Sequence, residues 1–257
     1  MISQNKRKMF RALEQKKKRD TEGLFIAEGR KTVGDLLRGG LAATYIAGTE
    51  ERLRELGLAV AGVETVVAEA EEIAEVSSLQ TRSEIIAIFR KPACDLPETG
   101  GDRLILALDG IQDPGNLGTI IRTADWFGVT DIVCSSQCAD AYGPKAVQAT
   151  MGALARVRVS YTDLATWLRR NAEKGDGAAQ VFGTYLEGEN IYKETLPKGG
   201  IILMGNEGHG IDARLSGFVT RKLFIPSFPG GQITSESLNV GTATAITISE
   251  FRRRIIS

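Results

Sequence analysis

Leu104–Leu108 reads L-I-L-A-L, five aliphatic residues with no polar break. A strand with one wet face alternates in polarity. An unbroken apolar run suits a strand covered on both faces, and such strands belong to parallel sheets flanked by helices. The second half of the chain repeats this arrangement. Asp131–Cys134, Val157–Ser160, Gln180–Thr184, Ile201–Met204 and Leu223–Ile225 read as strands. Helical patterns cover Asn116–Phe127, Lys145–Leu154, Leu164–Glu173 and Leu238–Arg254. Asn116 is expected to cap the first of these helices and Gly128 to stop it.

The first half alternates in the same way on a smaller scale. Short apolar runs at Gly23–Ala27, Thr44–Ala47, Thr65–Ala68 and Glu84–Phe89 bracket helical patterns at Arg30–Arg38, Glu50–Leu56 and Ala70–Leu79. That order predicts a small α/β domain. Pro92, Pro97, Gly100 and Gly101, with little apolar content around them, mark a linker. The expected organisation is a small domain over residues 1–91, a linker over 92–102 and a parallel-sheet domain over 103–257.

At 257 residues, 42% hydrophobic and 25% charged, the composition is that of a globular protein. No apolar run approaches the roughly 18 residues of a membrane span, and no apolar stretch near the N-terminus reads as a secretory signal. Cys94, Cys134 and Cys138 are too sparse for a disulfide framework and fit a reducing cytoplasm. Cys134 and Cys138 have the spacing of a metal pair. With His209 the only histidine, further soft ligands are lacking and no metal is expected. Net charge is zero, yet Met1–Asp20 carries eight Lys and Arg against Glu14 and Asp20. Such a cluster reads either as a solvated helix face or as a phosphate contact.

Ligands of parallel sheets sit beyond the carboxyl ends of the strands, and the polar, glycine-rich segments fall there. Gly205–Gly210, G-N-E-G-H-G, leaves the strand ending at Met204 and places the Glu207 carboxylate at a strand end. His209 among these glycines reads as a surface residue. Asp113–Arg122, D-P-G-N-L-G-T-I-I-R, turns at Pro114–Gly115 and brings in Arg122, whose planar fork suits phosphate or carboxylate. Ile225–Gly231, I-P-S-F-P-G-G, follows the last strand. Ser235–Val240, S-E-S-L-N-V, opens the final helix, where Ser237 and Asn239 are also ordinary helix-start residues.

Taken in order, D-P-G-N-L-G-T-I-I-R-T-A, G-N-E-G-H-G and I-P…S-L-N-V resemble the three motifs of the SpoU (TrmH-type) RNA ribose 2′-O-methyltransferases, over the whole second half. The first half, with F-I-A-E-G-R-K at Phe25–Lys31, is similar to the ribosomal-protein-like substrate-binding domain that precedes it in many members. The resemblance implies a SPOUT parallel sheet with a deep trefoil knot, an exception to the rule against threaded chains. It implies S-adenosylmethionine held largely by backbone at Gly205, Ile225 and Leu238, with Thr184 a further candidate, and catalytic-site residues Asn116, Arg122, Glu207, Ser237 and Asn239. It also implies a homodimer through the C-terminal domain and an RNA substrate, ribosomal before transfer RNA.

The family assigns the position of Arg122 the role of base. A guanidinium, which stays protonated at any accessible pH, is better suited to gripping RNA phosphate and stabilising charge near the hydroxyl. One departure stands out: the spacing from I-P to S-L-N is longer than typical, with extra residues within Ser227–Glu236. Two other readings compete. A non-catalytic RNA-binding or ribosome-assembly protein on the same scaffold would not need the five catalytic positions filled. A nucleotide-binding enzyme using Gly205–Gly210 lacks the lysine of a phosphate loop.

Overall fold

The computed structural model describes residues 1–57, 62–79, 83–172, 179–228 and 236–256. Two compact units emerge: Met1–Ala93 with Asp140–Arg156, and Cys94–Ala139 with Val157–Ser257.

The first unit is built on a four-stranded sheet in the order β1-β4-β2-β3. Its strands are β1 (Leu24–Glu28), β2 (Ala43–Gly48), β3 (Glu64–Val67) and β4 (Ile85–Arg90); β4 runs antiparallel to both β1 and β2, and β2 pairs parallel with β3. One face buries Leu24, Ile26, Tyr45, Ile86 and Ile88 with Phe10 and Leu13 of helix α1 (Gln4–Leu13). Phe25, alternating to the opposite side, stacks on Phe89 and meets Tyr142 at 5.1 Å. The basic N-terminal segment folds as α1 and α2 (Lys16–Glu22). Helices α3 (Arg30–Arg38) and α4 (Glu50–Glu55) lie where the periodicity puts them. Helix α5 stops at Ala74 (Ala70–Ala74) instead of reaching Leu79. The reason lies in Glu28, a buried carboxylate that accepts hydrogen bonds from the Ser78 backbone N–H and from the Ser77 and Ser78 hydroxyls. Those serines must leave the helix to satisfy it.

The stretch expected as one helix over Lys145–Leu154 is α7 (Pro144–Thr150) followed by a 3-10 turn at Ala153–Ala155. Met151 (φ 51°) and Gly152 (φ 86°) break it in the left-handed region. At Gly152 a Cβ would lie 2.3 Å from the Asp35 Cβ, so the break seats the turn against α3. This segment groups with the first unit although it lies between two strands of the other. Arg19 anchors it: the guanidinium, almost fully buried, donates from Nε and Nη2 to Asp140 Oδ2 at 2.9 and 2.7 Å, and from Nη1 to the Leu13 and Glu14 carbonyls. Removing one partner strands the other charge in the interior, at a cost of about 3–5 kcal/mol. Arg19→Ala should therefore lower the Tm by about 10 °C in scanning calorimetry; an unchanged Tm would refute the anchoring role.

The second unit is a six-stranded, wholly parallel sheet in the order β10-β8-β9-β5-β6-β7. Its strands are β5 (Leu104–Leu108), β6 (Asp131–Ser135), β7 (Arg158–Thr162), β8 (Val181–Asn190), β9 (Gly200–Met204) and β10 (Arg221–Phe224). β5, read as covered on both faces, is buried throughout. Asp131 opens β6 under Arg103 and Arg158. Burial would raise its carboxyl pKa, but hydrogen bonds from Thr130, Arg103 and Arg158 outweigh that and hold it below the usual range. Helices α6 (Pro114–Trp126), α8 (Leu164–Ala172), α9 (Ala213–Ser216) and α10 (Val240–Ile256) complete the unit. Phe251 of α10 packs edge-on against Phe182, and Arg252 Nε donates to the Phe127 carbonyl at the end of α6. β8 extends well past Thr184; its register with β10 shifts between Lys222 and Leu223.

Candidate active site

β5 and β9 are neighbours, with Leu108 opposite Met204. The chain leaves β5 toward α6 and leaves β9 toward α9, so the loops after the two strands part above a shared edge. That is a topological switch point, where a parallel sheet opens a crevice. The β9 loop closes at once on itself: Asn206 and Gly210 exchange both backbone hydrogen bonds at 2.9 Å. Gly205 is held to glycine by this closure, because a Cβ there would lie 2.3 Å from the Gly210 carbonyl carbon. Asn206 fastens the loop across the crevice. Its Nδ2 donates to the Gly110 carbonyl at 2.6 Å, and its Oδ1 accepts from the N–H groups of Gly208 and His209. Glu207 is thereby presented outward.

Asp113, in place of Asn116, caps α6. Its Oδ1 accepts from the Asn116 N–H at 2.8 Å, and Pro114 takes the first helical position, where a missing N–H costs nothing. This correction matters for the site, because it frees the Asn116 carboxamide. Asn116 Nδ2 donates to Glu207 Oε1 at 2.8 Å, and Asn116 Oδ1 accepts from Asn239 Nδ2 at 2.9 Å. Asn239 Oδ1 in turn accepts from the N–H groups of Gly241 and Thr242 at the start of α10. Helix-start residue and site residue are thus one role: the cap locks the Asn239 amide so that its nitrogen faces Asn116. The outcome is a polarised chain from helix N-terminus through two amides to a carboxylate. Among the described residues it leaves Glu207 Oε2 without a hydrogen-bond partner.

Three of the five expected catalytic positions are therefore joined. Arg122 is exposed on α6, and its guanidinium bonds to no described residue. Ser237 is exposed before α10, and its hydroxyl is likewise unengaged among the described residues. Of the four expected cofactor positions, Thr184 lies beside the end of β9, its Oγ1 3.5 Å from the Leu203 carbonyl and from Met204 Sδ, next to Gly205. Ile225 follows β10 half-buried, and Leu238 precedes α10 with 49% of its surface exposed. Most of the lengthened Ser227–Glu236 loop, residues 229–235, lies outside the described residues. His209 is exposed and contributes its backbone N–H to Asn206.

Asn206 was not singled out by sequence, although an asparagine before glycines commonly bonds the backbone two residues on. Cys138 is also structural: its thiol donates to the Leu108 carbonyl and accepts from the Ile111 N–H, pinning the β5 loop from below. A hydrogen bond from Cys134 lowers its pKa to about 7 against the effect of burial, and the same contact, with burial, raises that of Cys134. Among the described residues no group of three or more His, Cys, Asp or Glu is arranged to hold a metal.

Residues 103–249 match the SpoU rRNA Methylase family, more than half of the chain. The chain belongs to the SpoU rRNA methylase family. Residues 4–87 match the MRM3-like substrate binding domain. This SpoU-family protein is 30% identical over 251 residues, 95% of each chain, to the 23S rRNA (guanosine(2553)-2′-O)-methyltransferase RlmP of Bacillus subtilis (strain 168). The AdoMet-bound rRNA methyltransferase of Sinorhizobium meliloti superposes on it with a TM-score of 0.85 at 29% identity, covering 100% of this chain and 97% of that one. A TrmH-family protein from Porphyromonas gingivalis does so at 0.85 with 38% identity, over 99% of both chains. The six-stranded parallel sheet is that of the SPOUT methyltransferases.

Proposed function

We propose that this protein transfers a methyl group from S-adenosylmethionine to the 2′-hydroxyl of a ribose in ribosomal RNA. The observation that carries the reading is the joined Glu207–Asn116–Asn239 chain at the carboxyl ends of β5 and β9. A non-catalytic RNA-binding protein would have no use for it. The likeness to RlmP over 95% of both chains supports the same substrate class, with transfer RNA the lesser alternative.

The bound cofactor supplies an already activated methyl group. The residues at the strand ends fit it: Ile225 and Leu238 offer apolar surface for an adenosine, and Thr184 and Gly205 keep bulk away from the backbone beside them. The chain's own work is then to bring a ribose hydroxyl into line and to stabilise charge as its proton departs to solvent water. Glu207 Oε2 accepts the hydrogen bond of the 2′-hydroxyl, while Oε1 is fixed by Asn116. Asn239 keeps Asn116 from rotating. Arg122, uncommitted on α6, grips the RNA phosphate by its fork, and Ser237 contacts the ribose from the start of α10. A guanidinium, protonated at any accessible pH, serves as an electrostatic partner in this scheme and carries no proton away.

Residues 1–91 carry the substrate-binding role and 103–257 the catalytic one, joined by the linker 92–102, with Asp140–Arg156 of the second stretch packed into the first unit. The protein works in the cytoplasm as a homodimer through the C-terminal unit, whose sheet carries the trefoil knot of the superfamily. Trp126 on α6, 84% exposed, and Ile255 on α10, 38% exposed, are apolar surfaces such a dimer would cover; a monomeric mass in light scattering would remove this part. The main test is mapping of ribose 2′-O-methylation in cellular RNA with and without the gene. Loss of one ribosomal site on deletion is expected, and an unchanged methylation profile sinks the reading. Arg122→Lys keeps the charge but loses the bidentate fork, so transfer should fall by about 10- to 100-fold, chiefly through KM for RNA. Near-normal turnover would remove Arg122 from the site.

A further inference from the structure

The basic residues of α1 and α2 divide into two groups. Lys6, Arg7 and Arg19 are engaged inside the fold. Lys6 Nζ lies 2.6 Å from Glu64 and 4.4 Å from the Tyr45 ring centre, Arg7 pairs with Glu72 and Glu75, and Arg19 is buried on Asp140. Lys8, Arg11, Lys17 and Lys18 are exposed, and their side chains bond to no described residue. Lys8 and Arg11 stand three residues apart on one face of α1, and Lys17 and Lys18 lie in the first turn of α2, which packs on α1. Four acids of this unit are committed elsewhere, Glu64, Glu72 and Glu75 to Lys6 and Arg7, and Asp20 to Lys91 and Lys16, while the exposed Glu14 and Glu22 carboxylates bond to no described residue and offset part of the four cations. Stability alone would not select this pattern. Consecutive lysines repel one another, and the first turn of a helix favours acids.

The surroundings narrow the partner. Every aromatic ring of this unit, Phe10, Phe25, Tyr45, Phe89 and Tyr142, is buried, so no aromatic ring here can stack on a base. Large apolar side chains exposed among its described residues are Met1 and Val67, too little to enter a lipid surface. Charge without exposed aromatic or extensive apolar surface matches the phosphodiester backbone of a nucleic acid.

We propose that Lys8, Arg11, Lys17 and Lys18 form the surface by which this protein grips the phosphate backbone of its RNA, by charge and shape and without reading bases. The inference rests on the methyltransferase reading above. Each neutralised phosphate contributes roughly 0.7–0.9 to the slope of log affinity against log salt. The variant K8Q/R11Q/K17Q/K18Q of the 257-residue chain, titrated with a mixed-sequence RNA hairpin of about 20 base pairs, should lose about 3 from that slope and bind about 10- to 100-fold more weakly near 0.1 M salt. Arg54→Gln, which removes a cation paired with Glu50 on α4, should leave the slope unchanged. An unaltered slope in the quadruple variant overturns the proposal, as does a variant that loses binding to phosphatidylserine vesicles but keeps RNA binding. If the unmodified protein methylates ribosomal RNA while the variant keeps its slope, this inference alone falls. If the unmodified protein neither methylates nor binds RNA, the functional reading falls with it.

Discussion

Asn116→Ala is expected to lower methyl transfer by about 100- to 1,000-fold, the usual cost of removing one preorganised polar group from a reacting centre. Asn116 is the middle of the chain: its Nδ2 holds Glu207 and its Oδ1 holds Asn239. Truncation releases both at once. The fold should survive, because Asp113 caps α6 through the Asn116 backbone N–H, which alanine retains. Asn116→Asp is the sharper variant. It is nearly isosteric, yet an ionised aspartate cannot donate and would set a second negative charge against Glu207. It should be as impaired as the alanine variant, whereas Glu207→Gln keeps an acceptor for Asn116 but loses the charge and sets an NH2 donor where Oε2 would accept from the ribose hydroxyl. Single-turnover transfer of labelled methyl to ribosomal RNA measures all three. Asn116→Asp turning over within threefold of the unmodified protein would end the view that the direction of these hydrogen bonds matters.

Gly205→Ala is expected to abolish cofactor binding. The added Cβ would lie 2.3 Å from the Gly210 carbonyl carbon and 2.4 Å from the Ile211 nitrogen, and both are backbone atoms that no rotamer change can move. The Asn206–Gly210 closure must open to admit it. Glu207 and the backbone proposed to face the cofactor shift together, so affinity should fall by at least about 100-fold, the order of loss that ångström-scale misplacement brings. Gly208→Ala is the control within the same loop. Its Cβ would approach only Asn206 Oδ1, at 3.4 Å, a contact a small side-chain adjustment relieves. Calorimetric titration with S-adenosylmethionine separates them. Equal affinities for the two variants would mean that the closed loop does not shape the cofactor site.

Much of the framework was legible because it follows from local patterns. The five aliphatic residues of Leu104–Leu108 required a strand covered on both faces, and β5 sits inside a six-stranded parallel sheet. Local patterns failed where a distant group set the chain's path. Lys145–Leu154 has helical periodicity, but the close approach to Asp35 breaks it at Met151–Gly152. Ala70–Leu79 looks helical to its end, but the buried Glu28 carboxylate draws Ser77 and Ser78 out of the helix. Sequence order placed 140–156 in the second half, whereas Arg19 and the aromatic contacts of Tyr142 seat it on the first unit.

By itself the sequence determined the fold class, the family motifs and the identity of the polar residues at the strand ends, because hydrophobic period and turn chemistry are written in neighbouring residues. Only the tertiary structure decided which of those residues work together. Asn116 and Glu207 are 91 positions apart, and Asn116 and Asn239 are 123 apart. What joins them is the pairing of β5 with β9 and the packing of α10 on α6. The division of Asn239 between capping a helix and orienting an amide, and the sorting of the N-terminal cations into paired and unpaired, have the same origin. Hydrogen-bond direction and ion pairing depend on distances of about 3 Å between atoms far apart in the chain, and no local pattern records them.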